Sequence, residues 1–131
     1  MKKQVEEWMF FANHDLSAAE RLLQDDDSLT TIVAFHCQQA IEKCFKAFLI
    51  ENDVPLKRTH DLIRLNEMIK GIRDFGIDEK RLAVINDVYF DSRYPGEFGL
   101  MPNGMPSREQ AEDFIRFAQE VRTKICSEWN L

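Results

Sequence analysis

The chain has 131 residues, the size of one domain with one core, and its 44% apolar and 31% charged residues exclude a disordered, fibrous or membrane-embedded protein. Seventeen Lys and Arg against 23 Asp and Glu give a net charge of −6. A generally cationic surface for wrapping nucleic acid is therefore excluded, and only a local basic patch could bind it.

Three cysteines, Cys37, Cys44 and Cys126, show no CxxC or CxxH spacing, so neither a disulfide framework nor a zinc knuckle is predicted. They are expected to be small apolar fillers in a reducing cytoplasm. Met1 to Gln4 runs straight into amphipathic sequence, and no span of ~20 apolar residues occurs. The expectation is a protein neither exported nor inserted in a membrane, and ten Phe predict a core rich in large rings.

In chain order, Val5, Trp8, Met9, Ala12, Leu16, Ala19 and Leu23 form one stripe at three- and four-residue spacing, an amphipathic helix ended by Gln24 to Ser28. A second helix, about Leu29 to Asn52, is apolar around more than half its circumference and is predicted to be the central one. Asp53-Val54-Pro55 stops it, because proline lacks a donor and pushes its predecessor out of the α region. Thr59 is the predicted N-cap of a third helix carrying Leu62, Leu65, Met68, Ile69 and Ile72. The chain around Gly76 and Asp78 then restarts a fourth with Leu82, Ile85, Val88 and Tyr89. Residues 92–106, rich in Gly and Pro, read as a long loop opened by Arg93-Tyr94-Pro95. Ser107 and Gln110 match a capping box for a final helix with Ala111, Phe114, Ile115, Ala118, Val121 and Ile125 inward. No period-2 alternation is found, so the predicted fold is all-α: an up-and-down bundle of about five helices forming a single domain over residues 1–131.

At 100° per residue His36, Gln39, Lys43 and Lys46 fall in one sector of the second helix, with Glu42 beside them. One reading is a solvated face in which Glu42 and Lys46 make a weak surface pair; the other is a polar strip able to meet a phosphate or an acidic partner. His60-Asp61 lies near Lys57, Arg58 and Arg64, and serves either as a helix cap or as part of a cationic mouth at a helix N-terminus. Asp15 borders the first helix's apolar stripe and is expected to be ion-paired, with Arg93 as partner. Tyr94 could stack on a base while Arg93 grips a phosphate. No Gly-rich phosphate loop, GxSxG elbow or HExxH helix is present, and no cofactor is predicted. A metal alternative rests on His36, His60 and Asp61, with Asp87 or Asp91, as ligand types suited to a divalent ion.

Ala12 with Asp15-Leu16, Ala19 and Leu22-Leu23, then Ala34 to Ala47 around Gln39-Ala40-Ile41-Glu42-Lys43, then His60-Asp61-Leu62 and Arg93-Tyr94-Pro95, form an ordered set. Over nearly its whole length the sequence resembles the HEPN family. The resemblance implies a helical bundle, usually a homodimer, often encoded beside a minimal nucleotidyltransferase in toxin–antitoxin or related defence systems. It also implies nucleotide or RNA binding, with Lys43, Lys46, His60 and Arg93 as phosphate contacts; the reading of the residues themselves adds His36, Gln39 and Tyr94 as contacts and Asp15, Glu42 and Asp61 as a structural network. Many relatives are RNases with an Arg-x4-6-His pair. Here the histidines are 14, 36 and 60, and none of residues 7–9, 29–31 or 53–55 is Arg, so that activity is not expected. The alternative is a divergent nuclease or metal-dependent phosphohydrolase using His36, His60 and Asp61.

Overall fold

Helical periodicity in five segments is realised as five helices in a computed structural model that describes residues 1–56, 58–93 and 104–129. They are α1 (Lys3–Asp25), α2 (Thr30–Glu51), α3 (Leu62–Lys70), α4 (Glu79–Arg93) and α5 (Arg108–Cys126), followed by a 3₁₀ turn at Ser127–Trp129. The fold is all-α, and no strand occurs among the described residues.

The apolar stripe of α1 is buried as read, from Val5 through Met9, Ala12, Leu16 and Ala19 to Leu23, with Asp15 in the same stripe. α2 packs against α1, α3, α4 and α5, which accounts for its apolar surface on most sides. Its C-terminus closes without glycine. Asp53 adopts φ 58°, its amide donates to Ile50 O at 3.0 Å, and the Val54 amide reaches Leu49 O at 2.9 Å. This is the left-handed cap that removes two orphan carbonyls, and Val54 folds back on the core. The core is more aliphatic than expected. Phe45, Phe48, Phe114 and Phe117 are buried, whereas Phe10 and Phe11 stand on the surface of α1.

Three local expectations are corrected. α3 is capped by Asp61, whose Oδ1 accepts from the Ile63 amide at 3.0 Å, and not by Thr59. The Thr59 hydroxyl is used two residues earlier, accepting from the Asp61 amide at 3.1 Å. Ile72 lies past the end of α3 and is exposed, because the helix stops at Gly71. The loop begins later than predicted, since α4 continues through Ser92 and Arg93; Ser92 Oγ donates to Tyr89 O at 3.1 Å and closes the last turn. Arg93 there meets the negative end of the helix dipole. Residues 94–103, including Tyr94, and residue Lys57 lie outside the described residues. Ser107 and Gln110 form the predicted capping box of α5.

Candidate functional site

The polar row on α2 is organised by two carboxylates. A buried ionised carboxylate can only accept hydrogen bonds and is costly unless donors surround it. Asp15, on the inner stripe of α1, is 9% exposed. Its Oδ1 lies 2.9 Å from His36 Nδ1, and its Oδ2 accepts from Lys43 Nζ at 2.5 Å. Glu42, on α2, is 3% exposed and repeats the pattern. Lys46 Nζ donates at 3.1 Å, His60 Nδ1 lies at 2.9 Å, and Gln38 Nε2 donates at 3.3 Å. Each acid thus holds one lysine and one imidazole. A carboxylate partner requires the proton on Nδ1, so neutral His36 and His60 keep their lone pair on Nε2.

The solvated-face reading of this strip is therefore overturned for Glu42 and Lys46. Their pair has the expected i,i+4 spacing but lies inside, because α3 and the segment before it cover α2 there; Gln38 Nε2 also donates to His60 O at 2.9 Å. Gln39 is spent on a bond to Gln38 Oε1 at 2.8 Å. His60 stays at the rim, its side chain 57% exposed. Gln38 was missed in the sequence, although its place four residues before Glu42 was a usable signal.

Asp15 is ion-paired as expected, but its partners are Lys43 and His36 and not Arg93. The Arg93 guanidinium carbon sits 5.3 Å from the ring centroids of both Phe35 and Tyr89, which stack on each other at 5.9 Å and 22°. That contact holds the cation by its face and keeps it away from Asp15. Among the described residues no carboxylate pairs with Arg93. Arg93, Ser92, Thr31, Ile32, Phe35 and His36 line an open cavity of about 300 Å³. A second one of about 250 Å³, lined by Gln4, Glu7, Trp8, Phe11 and Lys43, lies on the α1 side of the Asp15 carboxylate.

The cationic mouth read at the start of α3 has two of its amide donors occupied. The Leu62 amide donates to Asn86 Oδ1 at 3.0 Å and the Ile63 amide to Asp61, so these donors are already used. Asn86 Nδ2 in turn donates to Asp61 Oδ1 at 3.2 Å, tying α3 to α4. His36, His60 and Asp61 do not converge: each serves a different partner, and among the described residues no group of three His, Cys, Asp or Glu could hold a metal ion. The thiols are free and buried. Desolvation, then the Glu20 and Asp15 carboxylates, push the Cys37 thiol well above its ordinary range; burial, then Cys126, does the same to Cys44. Neither can supply a thiolate nucleophile near neutral pH.

A model of the HEPN domain matches residues 5–129, nearly the entire chain. The chain belongs to the HEPN family. Among solved structures, this HEPN domain is similar to an archaeal HEPN homologue, with a TM-score of 0.74 at 22% identity, each chain covered to 98%. It is also similar to a protein from Thermus thermophilus, with a TM-score of 0.72 at 19% identity, covering 95% of this chain and 97% of that one. At these identities the likeness is one of fold. No curated protein matches the sequence. No helix among the described residues is long and apolar enough to cross a membrane.

Proposed function

We propose that this HEPN domain is a single-domain, cytoplasmic, non-catalytic binding module for a phosphate-bearing ligand, a nucleotide or RNA, working as a homodimer beside a minimal nucleotidyltransferase partner. The observation that carries the ligand reading is the Arg93 guanidinium, stacked on Phe35 and Tyr89, unpaired with any described carboxylate, and lining one cavity with His36. A guanidinium held in place by rings presents its donors to a phosphate with little ordering cost, and His36 Nε2 adds a donor when protonated. Lys43, half-buried beside Asp15, contributes field more than contact. Lys46 and Glu42 are supports, Gln39 is bonded to Gln38, and the His60 ring lies 6.3 Å from that of Tyr89. The partner and dimer expectations rest on the family likeness.

Titrating ATP, GTP and a short RNA against wild type and Arg93→Ala by calorimetry tests the reading. Binding that weakens about tenfold or more in Arg93→Ala, the scale of one charge-assisted phosphate contact, supports it. Equal binding by both proteins overturns it. One observation keeps a second reading, a divergent nuclease, in view: His36 and Arg93 share a cavity although they come from different helices. Metal-free RNA cleavage lost in His36→Ala would establish that reading in place of the first.

A further inference from the structure

The α1 side of the Asp15 carboxylate carries a second cavity that the phosphate reading does not use. Trp8 and Phe11, one turn apart, form an aromatic wall, and Phe11 is 52% exposed. Lys43 Nζ lies 6.0 Å from the Phe11 centroid, and Lys46 Nζ 5.7 Å from that of Trp8. Gln4 and Glu7 stand at the edge, exposed, and no described residue bonds to either side chain. The cavity therefore offers flat apolar walls for stacking, a carboxylate that only accepts, an amide that does both, and an ammonium that only donates.

Resting on the phosphate reading above, we infer that this cavity is a guanine subsite, so that the ligand is a guanine nucleoside carrying a phosphate, either free or within an RNA strand. Guanine presents two adjacent donors, N1–H and the exocyclic amine, which match the two oxygens of Glu7, and its O6 accepts from Lys43 or Gln4. Adenine presents a lone pair at N1 where guanine has a proton, so the same carboxylate repels it there. Pyrimidines leave most of the Trp8 and Phe11 wall uncovered. Phosphate and base sites are joined through one group: Asp15 holds His36 of the first cavity at 2.9 Å and Lys43 of the second at 2.5 Å.

The test uses the full chain with Trp129→Phe, so that Trp8 is the one tryptophan reporting on stacking. GMP and GDP are expected to quench its fluorescence and to bind about tenfold more tightly than AMP and ADP, a modest discrimination for a bidentate contact at an exposed site. Glu7→Gln should bring GMP down to the level of AMP while leaving AMP and the melting temperature unchanged. RNA hexamers of alternating G and U against A and U separate the sources: a guanine preference seen with hexamers alone assigns the site to RNA, and one seen with mononucleotides assigns it to free nucleotide. Equal binding of GMP and AMP, or a preference untouched by Glu7→Gln, overturns the guanine subsite. The phosphate reading fails separately. Guanine-selective binding that survives Arg93→Ala keeps this subsite and removes that one, whereas non-selective binding lost in Arg93→Ala does the reverse.

Discussion

Glu42 shows what a buried charge demands of its neighbours. Its three donors come from one turn above, one turn below and a separate segment, and Lys46 is the one that always carries a positive charge, so removing it leaves a buried ion with only hydrogen bonds to offset it. Lys46→Met keeps the volume and removes the positive charge, and it is expected to destabilise the fold by about 3 kcal/mol in urea denaturation, against ~0.5 kcal/mol or less for the exposed control Lys80→Met. A loss below about 1 kcal/mol would mean that the pair is not structural. The buried thiols give a pH signature. Because burial raises the Cys37 and Cys44 thiols above their ordinary value of 9.0, their contribution to stability is intact below that pH and is lost as pH rises beyond it, where the unfolded chain ionises first. The fall in melting temperature from about pH 8.5 to about pH 10 is therefore expected to be shallower in Cys44→Ala than in wild type.

Among the elements, the end of α2 carries the one non-glycine residue at positive φ among the described residues. Asp53 occupies a left-handed conformation that β-branched residues resist, while its carboxylate also pairs with Lys2 at the start of α1. Asp53→Val is expected to cost about 1 kcal/mol in thermal or urea unfolding, and Asp53→Gly close to nothing, because glycine's ease at positive φ offsets the lost surface pair. Equal losses from both would shift the importance from the backbone to the Lys2 pair. The helices themselves were legible wherever apolar spacing was strict, as in α1 and α5, and their ends were legible where side-chain capping is local, as at Ser107. They were misread where two cap-capable residues stand two apart. Thr59 and Asp61 both accept from a main-chain amide, and Asp61, the one that opens α3, is also bonded by Asn86 from α4.

For the whole molecule, α2 is the axis on which every other helix packs, and that follows from its composition: a helix apolar on most sides lowers its free energy only by being surrounded. The polar residues it carries are drawn inside with it. This is why a solvated Glu42–Lys46 pair was an incorrect alternative, and why His36 and Lys43 meet one carboxylate while Lys46 meets another. By itself the sequence determined the all-α class and the order of five helices, because periodicity and caps are properties of neighbours along the chain, and its ordered motifs carried the resemblance to the family. Only the tertiary structure decided that Asp15 serves His36 and Lys43, that Arg93 leans on Phe35 and Tyr89, and that Trp8 and Phe11 wall a cavity beside them. Those contacts join residues of different helices, and their choice is made by which side chains meet when the helices pack around α2.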